Sequence, residues 1–163
     1  MEINIGSFDF DHLVLKDEVG QTQVFNLKEE LKVNEHQLMQ EMLEQPAKYI
    51  YWSSVLEKLK YFQESAELKA EQALAQIDAE AREYYKNTDT KATKDVVETY
   101  RKTHENYATI QGNLHYYNMV IGYVTRIVKS FEQRKDMLQS YGKQISDQKG
   151  YGAGTNRFMD GGY

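Results

Sequence analysis

Between Ala81 and Thr103 the chain gathers the side chains best suited to hold a polyanion: Arg82, Lys86, Lys91, Lys94, Arg101 and Lys102, with Tyr85 among them. Each cation can neutralise a phosphate, and an aromatic ring flanked by cations offers a face on which a base stacks, as in sequence-tolerant single-strand binders. Within the Tyr84-Tyr85 doublet, neighbouring side chains of a helix diverge by about 100°. The apolar spacing assigns Tyr84 to the buried side, so Tyr85 is expected to project outward, either to stack a base or to pack on a neighbouring subunit. A second basic run, Arg126, Lys129, Arg134 and Lys135, lies further along. The competing account is an ordinary solvated helix face, because Glu98, Glu105, Glu132 and Asp136 are interspersed with these cations. Oligomerisation bears on the choice, since a modest patch repeated by symmetry becomes a ring of positive potential able to follow a polyanion.

Chemistry that makes or breaks bonds finds no equipment here. The sequence has no Cys, which excludes disulfides, Cys-ligated zinc, iron–sulfur clusters and thiol nucleophiles. His12, His36, His104 and His115 are scattered, and the last two lie about three helical turns apart, too far to share a metal. No Glu stands three residues ahead of a His, and the His-Glu-x-x-His, Gly-x-x-x-x-Gly-Lys and Gly-x-Ser-x-Gly patterns are missing. No catalytic residue, metal site or cofactor is expected, and the chain reads as a binding protein, not an enzyme.

Positioning the cations falls to long helices. Of 163 residues, 40% are hydrophobic and 28% charged, with a single Pro and ten Gly, a composition of one soluble domain with few breakers. The net charge of −5 is unevenly spread: 8 basic and 17 acidic residues lie up to Glu83, against 12 basic and 8 acidic after it, a balance of −9 and +4. No run approaches the roughly 20 apolar residues of a membrane span, and the Glu-rich first half argues against a membrane-surface helix. The opening Met1-Glu2-Ile3-Asn4-Ile5 has neither the basic nor the apolar region of a secretory signal. A cytoplasmic location is expected.

The expected fold class is all-α: long amphipathic helices forming an elongated helical hairpin that oligomerises. Residues 1–33 hold short β-leaning runs, Ile3–Ile5, Leu13–Leu15 and Gln23–Phe25, around a Val19-Gly20-Gln21 turn, and read as a small N-terminal arm or hairpin. Residues 34–147 form the helical domain. Asn34 is placed to cap a short helix that Gln45-Pro46 ends. From there to about Lys86 the positions Trp52, Val55, Leu59, Phe62, Ala66, Ala70, Ala73, Ile77, Ala81 and Tyr84 step by threes and fours. After a polar linker, in which Asp89 or Thr90 can cap, a second seam runs from Val96 through Tyr117, Ile121, Val124, Val128, Phe131 and Lys135 to Leu138, ending near Gly142 or Ile145. Residues 148–163 hold five of the ten glycines and read as a disordered, flexible tail.

Helices of about 60 and 75 Å exceed what a compact globule of about 15 Å radius of gyration can use. Self-association is therefore expected, and Tyr116 to Val128 is apolar almost all round, as in a helix buried between subunits. Tyr117, Ile121, Val124, Val128, Phe131 and Leu138 are the expected oligomerisation residues.

Four features in order carry a resemblance to the UvsY family of bacteriophage recombination mediators: Leu27-Lys28-Glu29-Glu30-Leu31-Lys32, then Tyr49-Ile50-Tyr51-Trp52-Ser53-Ser54-Val55-Leu56, then Ala81-Arg82-Glu83-Tyr84-Tyr85, then a second long helix with a Tyr-rich middle and a basic end. Together they span about residues 27–147. The resemblance implies a small helical protein that assembles into rings of more than two subunits and binds single-stranded DNA. It further implies help in loading a phage recombinase onto DNA covered by single-strand binding protein, in the host cytoplasm and with no cofactor. In that family basic residues just before the Tyr-Tyr element contribute to DNA contact. Here only Arg82 fills that role, between Glu80 and Glu83, which shifts the expected contact toward Lys86–Lys102. The helices alone would equally suit a structural or assembly coiled coil of a phage particle, such as a scaffold or tail-associated protein. The basic second half favours the mediator.

Overall fold

The computed structural model describes residues 2–3, 10–17, 19–88 and 90–155. The fold is mainly α. Three short antiparallel strands, β1 (Glu2–Ile3), β2 (Leu13–Lys16) and β3 (Thr22–Phe25), come first and pair in that order. Four helices follow: α1 (Leu27–Leu31), α2 (Leu38–Lys86), α3 (Lys94–Thr103) and α4 (Tyr107–Thr155). The chain divides into two compact units, residues 1–54 with 125–163, and residues 55–124.

The first unit holds the sheet. Leu13 pairs with Phe25 and Leu15 with Gln23, and the two-residue period of a strand sends Leu13 and Leu15 inward while Lys16 stays outside. The β2–β3 turn is made by Asp17, whose carboxylate accepts from the N–H groups of Val19 and Gln21 at 2.9 and 2.8 Å, and by Gly20 at φ +85°, a conformation that favours glycine. Phe25 meets Trp52 edge-on at 5.0 Å, and Trp52 and Leu27 are each 1% exposed. The sheet thereby closes one end of a core built from α2 and α4.

Opposite the aromatic cluster lies a polar knot. Arg134 is buried, at 2% exposure. It donates from Nη1 to Gln45 Oε1 at 2.6 Å and from Nη2 to the Lys32 carbonyl at 3.1 Å, and it pairs with the Glu41 carboxylate. Gln45 Nε2 in turn donates to the Phe131 carbonyl at 2.6 Å. Burial pushes the Glu41 carboxyl up, but hydrogen bonds from Arg134 and the Asn34 N–H, with the charges of Arg134 and Lys48, outweigh it and hold the group below its ordinary value. The seam expected to pass through Lys135 therefore passes through Arg134. Lys135 is exposed, and Arg134 is removed from any phosphate-tracking surface.

Four further expectations are corrected. Pro46 does not divide two helices, since α2 runs unbroken from Leu38 to Lys86. Its ring faces solvent, where the carbonyl it leaves without a donor can be hydrated, and buried Gln45 and Trp52 anchor the helix on either side. Asn34 caps a single 3-10 turn, Glu35–Gln37, that leads directly into α2. The second seam is two helices: α3 stops at Thr103, His104 is extended, and α4 begins at Tyr107, with its N–H donating to the His104 carbonyl at 3.0 Å. α4 also passes Gly142 and Ile145 and continues to Thr155; the rest of the tail lies outside the described residues, as does Asp89.

The expected oligomerisation face is occupied within the chain. Val124 and Phe131 are 0% exposed, Leu138 2% and Val128 8%, while Tyr117 and Ile121 are half-buried. Burial within one copy leaves Val124, Val128, Phe131 and Leu138 little surface to offer another copy. Among the described residues no helix is long and apolar enough to cross a membrane.

Candidate nucleic-acid interface

The expected contacts from Arg82 to Lys102 sit in the second unit, at the end of α2, in the connection after it and on α3, whereas Arg126, Lys129 and Lys135 of the second basic run are exposed on α4 in the first unit. The last turn of α2 is closed by Thr88, whose N–H and Oγ1 both donate to the Tyr85 carbonyl at 3.2 and 3.0 Å. Thr93 precedes α3 in an extended conformation, and its carbonyl accepts the Val97 N–H at 3.1 Å. Val97 is buried, and Tyr100, Arg101 and His104 share its side of the helix at spacings of three and four, so α3 lies on α2 through one face.

Arg101 locks that arrangement. Its Nε donates to Asp78 Oδ1 at 2.6 Å and its Nη2 bonds Asp78 Oδ2, a two-pronged guanidinium–carboxylate contact. This hydrogen bonding holds the Asp78 carboxyl below its ordinary range and the Arg101 guanidinium above its own. Arg101 thus positions α3, with the Nε and Nη2 side of its guanidinium already engaged. A turn away, His104 Nε2 lies 3.6 Å from Glu80 Oε2, an ion pair when the imidazole is protonated, and its Nδ1 accepts the Asn106 N–H at 3.2 Å.

Arg82, Lys86, Lys91 and Lys94 are exposed and form no ion pair among the described residues. Lys102 is also exposed, paired at 2.7 Å with Glu98 one turn before it on α3. The Lys102 ammonium, through its hydrogen bond and charge, lowers the Glu98 carboxyl and is itself raised. Such a surface pair is weak and exchangeable.

The tyrosine doublet is inverted relative to expectation. Tyr84 is 57% exposed and Tyr85 is half-buried, because α3 covers the Tyr85 side of α2. Both rings meet Tyr100, at 6.0 and 6.2 Å between centroids, and each other edge-on at 5.1 Å; Tyr100 also neighbours His104 at 6.2 Å. Four rings thereby form one cluster, with Tyr84 as its outward member, between the exposed Arg82 and Lys86 on α2. Tyr100 and His104 were not among the expected site residues. Their i, i+4 spacing on α3 was the available signal.

The split of charge along the chain does not survive folding. Residues 55–124 carry 9 basic and 11 acidic side chains and the rest of the chain 11 and 14, because α2 carboxylates such as Asp78 and Glu41 lie against arginines of α3 and α4. Local exposure, and not a basic half, is what distinguishes the α2–α3 connection. No group of three or more His, Asp or Glu that could hold a metal occurs among the described residues.

No protein-family profile and no curated protein matches the chain. Solved structures do. Crystal structures of the bacteriophage T4 recombination mediator protein UvsY share its fold: the lattice type IV form with a TM-score of 0.59 and 15% identity, over 77% of this chain and 91% of that one. The lattice type II form gives 0.57 and 17%, over 78% and 92%, and the type I form 0.56 and 16%, over 77% and 94%. The UvsY resemblance drawn from short stretches of residues is thus found again in the backbone.

Proposed function

We propose that this protein is a recombination mediator, which as a closed oligomer of more than two subunits binds single-stranded DNA and helps load a phage recombinase onto strands covered by single-strand binding protein. The observation that carries the reading is a fold shared with UvsY over nine-tenths of that chain. The exposed cations around Tyr84 support it. They offer phosphate neutralisation beside a stacking face.

The mechanism follows from repetition. Each subunit presents a few exchangeable cations, and once one subunit holds a strand the next meets its segment at high effective concentration. The assembly then competes for DNA by avidity while each contact stays weak enough to yield the strand to a recombinase. Exposed carboxylates of α2, among them Glu57, Glu64, Glu67 and Glu71, are available for protein partners.

The test is DNA-dependent ATP hydrolysis by the cognate recombinase on protein-coated single strands, with this protein added across a range of stoichiometries. Stimulation is expected. Absence of stimulation despite DNA binding, measured by fluorescence anisotropy, would leave a DNA-binding structural or assembly protein of the phage particle.

A further inference from the structure

Large apolar side chains stand uncovered on the first unit's stretch of α2. Met39 and Leu43 are each 73% exposed and Ile50 61%, with Pro46 exposed between them. Steps of four, three and four residues keep them within one narrow sector of the helix, along about 16 Å of its length. Gln40, Ala47, Ser53 and Ser54 flank this ridge and carry no charge. The three large side chains present roughly 400 Å² of apolar surface, the scale at which a patch on a soluble protein marks an interaction site.

The same unit has a groove of about 690 Å³ whose lining includes Leu31, Val33, Met137, Ser140 and Tyr141. Met137 is 63% exposed in it. The charges at its edge have opposite charges beside them, Lys32 with Glu29 and Asp136 with Lys135, and the nearby Glu35 carboxylate raises the pKa of the Tyr141 hydroxyl. An acidic or basic partner therefore finds little to neutralise there, whereas an uncharged apolar ridge finds a matching wall.

We infer that the Met39–Leu43–Ile50 ridge of one copy seats in the Leu31–Val33–Met137–Tyr141 groove of the next. Ridge and groove share no residue, so the contact is head-to-tail, and repetition closes a ring where the rotation permits. Outside this unit the exposed large hydrophobics among the described residues are Tyr61, Leu68, Tyr84 and Met119; Tyr61 and Leu68 share a helix face but have exposed Glu64 between them, so no uncharged ridge of three forms there. The inference deepens the proposed self-assembly, on which it rests, and does not depend on DNA binding. It replaces Tyr117, Ile121, Val124, Val128, Phe131 and Leu138 as the contact between copies.

The test uses two variants of the full chain, Leu43→Lys with Ile50→Lys on the ridge, and Met137→Lys with Ser140→Lys in the groove. All four positions are exposed, and unchanged far-ultraviolet circular dichroism would establish folding; Met39→Ser with Leu43→Ser is the milder ridge variant. By light scattering the wild type should be a multiple of 19.1 kDa larger than two and each variant 19.1 kDa. An equimolar mixture should form a dimer and nothing larger, because a ridge variant keeps its groove, a groove variant keeps its ridge, and a single intact ridge-and-groove pairing remains. A monomeric wild type, a folded variant of unchanged mass, or a mixture that stays monomeric would overturn the inference. Affinity for an oligonucleotide short enough to touch one copy should be equal in all three proteins. Loss of recombinase stimulation with the masses as expected would count against the mediator reading alone.

Discussion

Replacing Glu41 by Gln should destabilise the first unit out of proportion to the change in size. Arg134 is 2% exposed, and Glu41, whose side chain is 16% exposed, is its anionic partner. With the charge gone, the guanidinium keeps the Gln45 and Lys32 oxygens as neutral acceptors but remains an uncompensated buried cation. Breaking a buried pair in this way costs about 3–5 kcal/mol, and the partial exposure of Glu41 places the expected loss near the lower end, about 3 kcal/mol. Urea unfolding followed by the fluorescence of Trp52, the sole tryptophan and 1% exposed in the same unit, should show a midpoint lower by about 1.5 M for a slope of about 2 kcal/mol per M. Protein concentration must be held fixed, because self-association adds its own stabilisation. The pH dependence has a definite sign. The folded Glu41 carboxyl lies below its ordinary value of 4.5, so its contribution is present above that value and is lost as pH falls through the lowered folded one. The wild type should lose this increment in acid and Glu41→Gln should not. A midpoint within about 0.3 M of wild type, or parallel acid profiles, would mean that Arg134 is solvated and the knot contributes little.

Tyr84→Ala should weaken single-strand binding by about 1–3 kcal/mol, the range for loss of one base–aromatic stack, in anisotropy titrations, whereas Tyr85→Ala, at a half-buried position, should chiefly lower stability. Replacing Arg82, Lys86, Lys91 and Lys94 together by Ala should flatten the slope of log K against log salt by up to about 0.7 for each phosphate no longer neutralised, while Arg101→Ala should loosen α3 and leave that slope nearly unchanged. Val124→Asp should cost helicity in circular dichroism at every protein concentration, since Val124 is 0% exposed within one copy; loss of assembly with full helicity retained would contradict this.

Much of the helical fold is legible locally. The threes and fours from Trp52 to Tyr84 require one amphipathic face, and along it Trp52, Val55, Leu59, Ala70, Ile77 and Ala81 are buried, Phe62, Ala66 and Ala73 are half-buried, and only Tyr84, at the end, is exposed. The Gly20 turn is legible from residue type, because few other residues adopt its φ. Pro46 misleads because a proline states only its own missing hydrogen bond, not the packing on either side that holds α2 together. The break at His104 is hidden for the converse reason: Tyr100, Thr103 and Tyr107 keep the helical spacing across a segment whose backbone is extended.

Which residues face another copy or a ligand is decided by tertiary structure. The apolar spacing of Val124, Val128, Phe131 and Leu138 says that they must be covered but not by what, and all four are buried within one copy. Arg101 and Arg134 resemble surface cations in the sequence because composition does not reveal that Asp78 and Glu41, 23 and 93 residues away, come to lie against them. Tyr84 and Tyr85 exchange roles because the choice between adjacent helix faces depends on where α3 docks. Periodicity along a chain specifies that a face is buried; only the placement of the other elements specifies the neighbour that buries it, and which faces are left over.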